Sequence, residues 1–428
     1  MMDRKIAPEF KQIGKTSLFQ PEKKEFKNGI PFFVFNLHEA ELIKLEWAFK
    51  IKNWDLNHPL NGVAAAKLMD DGTHKKTSAQ IIEEIDFYGS YFQVHVHADM
   101  ISLELYSLRK YLSKTLPVIY EILNEAIFPD TEIEVFKTNN IQRIQVDDQK
   151  VQKLGSKLFY KSIFGAESRY GYGEKVQDFR DLNRLGIEKA YEDIFHSNNC
   201  TLFASGKVED SEIDLIETYF GREAWGKKPN ANTLNVYPDF IPVSAHYHFE
   251  PIESANQSAV KIGKPLVLKS HPDYPALQVL NTVLGGYFGS RLMSNIREDK
   301  GYTYGIGSAV NALQNQGFFY ISTEVNAEAT QATLHEIQKE IERLQTEMIP
   351  TEELDLVKNF IRGSFMASLE NAFSYADKFK GIYYHNLDYS YYDRLFDTLD
   401  SVNAQTLKNL ANQYWDWNSF HQVIVGKE

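Results

Sequence analysis

Between Tyr274 and Val310 the hydrophobic period changes twice. Leu277, Leu280 and Leu284 recur at three- and four-residue spacing, which predicts a helix with one buried face. Gly285, Gly286 and Gly289 interrupt it. Ser290 stands where it would cap a second helix, with Leu292 and Ile296 on the apolar side. Gly301 ends that helix where a left-handed residue is wanted. From Tyr302 to Val310 the period becomes two. Tyr304, Ile306, Ser308 and Val310 share one face, while Thr303, Gly305, Gly307 and Ala309 keep the other small. Arg297 closes the helix and Tyr304 lies seven residues on, just inside the strand. A helix end and a strand start joined by a tight turn can aim both side chains at one point.

The same alternations appear earlier in the chain. Residues 31–53 predict two strands. In the second, Leu45, Trp47, Phe49 and Ile51 alternate with Lys44, Glu46, Ala48 and Lys50, as in a half-buried antiparallel strand. A helix is expected around Gly62–Asp71. The next opens with Thr77 and Gln80, a capping-box pair, and has Ile81, Ile82, Ile85 and Tyr88 on its apolar side. Tyr91–Ala98 and Ile101–Leu108 predict a hairpin. Two helices are expected after it, over 112–128 and 131–154.

The second half repeats this order, which predicts an internal repeat. Strands come first, at 244–249 and 257–267. The helix–glycine–helix–glycine–strand unit of 274–310 mirrors 60–98, and a hairpin partner follows at Gly317–Val325. Leu334, Ile337, Ile341, Leu344 and Met348 form a helical stripe. The expected fold class is α+β, with two homologous domains, each a mostly antiparallel sheet packed with helices. The boundaries read as 1–220, a linker over 221–240, and 241–428.

Charge and cysteine content narrow the function. The chain of 428 residues has 46 Lys and Arg against 58 Asp and Glu, a net charge of −12. This disfavours nucleic acid and an anionic membrane surface as partners, since both call for clustered cations. A lone cysteine, Cys200, excludes an intramolecular disulfide and a cysteine zinc cluster. It is expected to be a small buried residue. No apolar run has the length of a signal peptide or a membrane span, so a cytoplasmic location is the expectation.

The segments QSAVKIGKPL, HPDYPALQVLNTVLGG and SRLMSNIREDKGYTYGI resemble the C-terminal domain of the pitrilysin/insulinase zinc peptidases, the inverzincins. The repeated layout agrees along essentially the whole chain. The resemblance implies that this chain forms half of a clamshell. It also implies an inverted zinc motif, H-x-x-E-H, on a helix of the first domain, where two His bind zinc and the Glu is the general base. Counting back from Gly72 puts those positions at Val63, Ala66 and Lys67, none of which is a usual zinc ligand. The later helix, FKTNNIQRIQVDD, has no Glu for a third ligand.

In related two-part enzymes the non-zinc half supplies an Arg and, seven residues later, a Tyr that hydrogen-bond the substrate carbonyl. The resemblance assigns these roles to Arg297 and Tyr304. Fixed donors at a developing oxyanion lower the barrier to acyl transfer. Tyr302 is a further candidate, lining the chamber or packing beneath Arg297. The implied function is a non-catalytic subunit of a heterodimeric peptidase, binding no metal itself. A sister subunit with H-x-x-E-H would bring zinc, and peptides would be the substrates. A homodimer of the isolated chain stays compatible with this. The alternative is a catalytically inert peptide-binding or scaffold protein of the same fold.

Other polar clusters carry less. His95 and His97, with Asp99 nearby, and the pair His246 and His248 read as polar sheet faces without a third metal ligand. The Gly285-Gly286-x-x-Gly289 cluster follows a helix and lacks a closing Lys-Ser/Thr, so it is no nucleotide loop.

Overall fold

The structure, a computed structural model, describes residues 18–37, 41–52, 54–227, 244 and 246–427. The first half opens with strands β1 (Glu22–Glu25), β2 (Pro31–Asn36) and β3 (Leu42–Lys50). Helices α1 (Asn61–Leu68) and α2 (Ser78–Phe87) lead to the hairpin of β4 (Tyr91–Val96) and β5 (Met100–Leu108). Five helices follow: α3 (Leu112–Glu125), α4 (Asp130–Asp147), α5 (Val151–Phe164), α6 (Val176–Arg180) and α7 (Arg184–Ile194). Strand β6 (Cys200–Gly206) and helix α8 (Asp210–Phe220) complete it.

The second half has β7 (Tyr247–Pro251), β8 (Gln257–Leu266), α9 (Tyr274–Leu284), a π-helix over Met293–Asp299, β9 (Thr303–Ala312) and β10 (Gly317–Asn326). Helices α10 (Thr330–Thr346), α11 (Thr351–Ala367), α12 (Ala372–Tyr383), α13 (Ser390–Ser401) and α14 (Ala404–Tyr414) precede the last strand, β11 (His421–Gly426).

The repeat is visible in the topology. One sheet runs β1-β2-β6-β3-β5-β4 and the other β7-β11-β8-β10-β9. Apart from β1 the two orders correspond strand for strand. Each sheet has one parallel pair, β2 with β6 and β7 with β11, and is otherwise antiparallel. The fold is α+β, as expected. The expected linker lies mostly outside the described residues.

Three expectations change. The helix predicted over 131–154 is two: α4 ends at Asp147 and α5 begins at Val151, with a turn between. That turn sends α5 across to the other half, where it packs on β8 and β11. Phe159, Ile163 and Phe164 form a cluster there with Phe318, Val423 and Val425. Reciprocally, α12 packs on β2 and β6 of the first sheet. Its Phe379 ring centre lies 4.8 Å from that of Phe33, and Phe33 stacks on Phe203 at 5.4 Å.

This exchange explains the second correction. Strand β3 is buried on both faces, because α12 covers the side carrying Lys44 and Glu46. Lys44 Nζ meets Glu104 at 2.8 Å and Glu46 and Asp377 at 3.6 Å, and Lys380 pairs with Glu46 and Asp377. Two lysines and three carboxylates from β3, β5 and α12 therefore form one ion-pair network at the seam between the halves. Third, α2 has the predicted capping box of Thr77 and Gln80, but only Ile81 and Ile85 of its apolar set are buried; Ile82 is exposed. Cys200 is buried, as expected.

Candidate functional site

The glycine turn after α9 lies flush on β9. A Cβ on Gly285 would sit 2.5 Å from Ser308 Oγ and 2.8 Å from Ser308 N, and the Gly285 carbonyl accepts the Ser308 N–H at 3.0 Å. The helix that follows is a π-helix, with Lys300 N–H donating to the Asn295 carbonyl at 3.0 Å. Such wide turns recur at functional positions. This one is pinned from two sides. Arg291 makes a bidentate pair with Glu353 of α11, both bonds 2.8 Å. The Asn295 amide donates to Glu336 at 2.9 Å and Glu340 at 2.7 Å, both on α10. That amide, acting first against a small burial cost, holds Glu336 below the usual carboxylate range. Ser290 does not cap with its side chain. It is buried, its Oγ has no hydrogen-bond partner among the described residues, and its carbonyl accepts the Ser294 N–H. Gly301 takes φ +66°, the left-handed turn the sequence calls for, and brings the chain back into β9.

Arg297 and Tyr304 therefore stand on adjoining, packed elements: the end of the π-helix and the start of β9. Tyr304 is 93% exposed, although Ile306, Ser308 and Val310 of the same strand face are buried. Arg297 is partly buried, with its Cζ 4.6 Å from the centre of the Phe288 ring, and Phe288 is itself exposed. Stacking of this kind holds the guanidinium plane and leaves its in-plane N–H donors available. No carboxylate is paired with Arg297 among the described residues. Phe288 was not singled out from sequence; its signal is an aromatic residue within a glycine turn. Tyr302 is half-buried and packs against the second-half core, its N–H bonded to the Ile296 carbonyl at 3.0 Å.

Strand β9 is the edge of its sheet. Most of that edge is closed by α9. Gln278 Nε2 donates to the Val310 carbonyl at 2.9 Å, and Asn281 Nδ2 to the Ser308 carbonyl at 3.2 Å. Tyr304 precedes the closed stretch.

The first-half counterpart of α9 is α1. Here Val63 is half-buried, Ala66 is fully buried, and Lys67 is exposed with its Nζ donating to the Val94 carbonyl at 2.6 Å. A zinc ion does not fit these residues: two offer no lone pair, and the third places an ammonium there. No group of three or more His, Cys, Asp or Glu that could hold a metal occurs among the described residues. His95 and His97 stack on each other with ring centres 6.1 Å apart, and His95 Nε2 lies 3.6 Å from Glu104. His246 lies 3.2 Å from Ser162 Oγ, and His248 is paired with Glu250 at 3.3 Å.

Two cavities lie elsewhere. One of about 1350 Å³ is lined by the loop before α1, by Tyr170 and Tyr172, and by α7. The other, of about 550 Å³, lies at the seam between the halves. Neither is lined by Arg297 or Tyr304. No helix among the described residues is long and apolar enough to cross a membrane.

Residues 181–361 match the family model described as the peptidase M16 inactive domain. The uncharacterized zinc protease YmxG of Bacillus subtilis is 24% identical over 347 residues, 80% of this chain and 82% of its own length. The non-peptidase homolog YmxG of Helicobacter pylori is 20% identical over 382 residues, 85% of this chain and 83% of its own. A peptidase M16 inactive domain from Pseudomonas fluorescens superposes with a TM-score of 0.85 at 18% identity, covering 96% of this chain and 99% of that one. The matched domain, the relatives and the fold agree with the sequence resemblance: residues 181–361 match a peptidase M16 inactive domain, and the chain as a whole is similar in sequence to zinc proteases and their inactive homologues and in fold to M16 domains.

Proposed function

We propose that the chain is the non-catalytic subunit of a two-chain, cytoplasmic zinc peptidase. A sister subunit carrying H-x-x-E-H supplies the metal and the general base. This chain supplies Arg297 and Tyr304, which donate hydrogen bonds to the carbonyl oxygen of a bound peptide as negative charge develops on it. One observation carries the reading: an exposed tyrosine and a stacked arginine with no paired carboxylate among the described residues sit together on a pinned helix–strand corner outside both cavities described above. Such a corner has donors to offer to a peptide held against it by a partner subunit. The residues of α1 support the other half of the reading, since they suit no metal.

The same α1 residues favour a second reading, an inert peptide-binding scaffold of the same fold. The isolated chain distinguishes both from an autonomous enzyme. It should hold no stoichiometric zinc by metal analysis and cleave no quenched fluorescent peptide. Zinc-dependent hydrolysis by the lone chain contradicts both readings.

A further inference from the structure

The cavity of about 550 Å³ at the seam draws on both halves. Strands β3, β4 and β5 bring Lys50, His95 and Met100, and the β4–β5 turn brings His97. The second half brings Lys269, Ala312, Leu313 and His385. Its size is that of a small-ligand pocket.

Its charges are unevenly satisfied. Glu46, Glu104 and Asp377 are ion-paired with Lys44 and Lys380, and His95 Nε2 lies 3.6 Å from Glu104. Asp99 accepts the Tyr170 hydroxyl at 2.6 Å and the Gln314 N–H at 2.8 Å. All four lining carboxylates are thus engaged. Two lining lysines differ. Lys269 donates to the Gly381 carbonyl at 2.8 Å and lies 5.8 Å from the Tyr391 ring centre, with no carboxylate paired to it; Lys50 likewise has no paired carboxylate among the described residues. Burial, then Lys378, pushes Lys269 down to about 8; burial, then Lys269, pushes His385 down to about 4. Burial first and His95 second also lower His97. These basic groups sit where added positive charge is disfavoured and an anion is welcome. Met100, Ala312 and Leu313 offer apolar wall beside them. Four carboxylates in the same lining favour a singly charged anion over a dianion.

We propose that this seam cavity binds a small carboxylate carried on an apolar body, the chemistry of a peptide C-terminus or of a free small acid. The inference does not depend on Arg297 or Tyr304. A bound carboxylate would take hydrogen bonds from Lys269 and Lys50 and rest its apolar part on Leu313 and Met100, joining the two halves.

The test is calorimetric titration of the full chain with N-acetyl-leucine, with a tetrapeptide ending in leucine, and with the C-terminal amide of that tetrapeptide. At least one free acid should bind and the amide should not. Binding of both acids assigns the cavity to peptide C-termini; binding of N-acetyl-leucine alone assigns it to single small acids. Lys269→Met and Lys50→Met should each weaken binding about tenfold or more, the loss of a hydrogen bond to a charged group. If Lys269→Met fails to fold, judged by circular dichroism, Lys50→Met decides alone. The inference is overturned if neither acid binds at about 10 mM, a range reached by very weak ligands. It is also overturned if the amide binds as well as the acid, or if the folded variants bind as the parent does.

Discussion

The guanidinium carbon of Arg297, in the last turn of the π-helix, lies 4.6 Å from the centre of the Phe288 ring in the glycine turn before it. An exposed cation–π contact is worth about 0.5–1 kcal/mol. In the proposed two-chain peptidase, Phe288→Ala should therefore lower kcat roughly two- to fivefold by loosening Arg297, and Phe288→Tyr should restore it. Steady-state kinetics check this. An unchanged kcat for Phe288→Ala would mean that the ring does not position the arginine.

The seam between the halves is held by charges as well as rings. Lys44 has 6% of its side chain exposed and faces Glu46, Glu104 and Asp377. Burial works against its charge, but these carboxylates outweigh it and raise its pKa. Lys44→Met leaves buried carboxylates short of a cation and should cost about 3–5 kcal/mol. Urea denaturation followed by circular dichroism measures it. A loss below about 1 kcal/mol, the range of a surface pair, would contradict the buried network.

Asp71 predicts a pH dependence. Burial, then Asp70 and Glu132, raises its pKa from 3.8 to about 6. As pH rises from about 4 to 6 the unfolded chain gives up this proton before the folded one. The unfolded state then binds fewer protons, and the contribution of Asp71 to stability falls through that window. Asp71→Asn should raise the melting temperature at about pH 8 and leave it nearly unchanged near pH 3.5, below both pKa values. An equal shift at both pH values would show that charge is not the cause.

The corner depends on a close approach of turn to strand. A methyl group at Gly285 would meet Ser308 Oγ and backbone N at 2.5 and 2.8 Å. Gly285→Ala should destabilise the chain by about 1–3 kcal/mol, the usual cost of overpacking. Thermal denaturation reads this out. Wild-type stability in the variant would mean that the turn does not lie flush on β9.

Much of this was legible in the sequence, for physical reasons. The α9–glycine–helix–glycine–β9 unit declares itself because its period switches from helical to alternating around glycines that close packing and positive φ require. The repeat is legible because both halves run through the same patterns. The exchange of α5 and α12 was not. A helix covering the partner sheet carries the same apolar stripe as one covering its own, and the break after Asp147 is a turn without glycine or proline. Burial of Lys44 and Glu46 was hidden for the same reason: alternation with charged residues reads as one wet face unless the covering helix, with Asp377 and Lys380, is known. Arg297 and Tyr304 follow from the family resemblance, whereas the Phe288 stack and the Asn295 clamp depend on how the glycine turn and α10 fold against the π-helix.

The most direct test of the central claim is a tagged pull-down of this chain from its native cell. The eluate would be assayed on quenched fluorescent peptides with and without a zinc chelator, using wild type, Arg297→Ala and Tyr304→Phe. The account predicts co-elution of a sister chain with H-x-x-E-H and chelator-sensitive cleavage. It also predicts turnover reduced roughly 10²–10³-fold in the variants, the cost of losing an oxyanion donor, with assembly intact. A complex whose turnover ignores both substitutions, or a chain that elutes alone and inert, would contradict it.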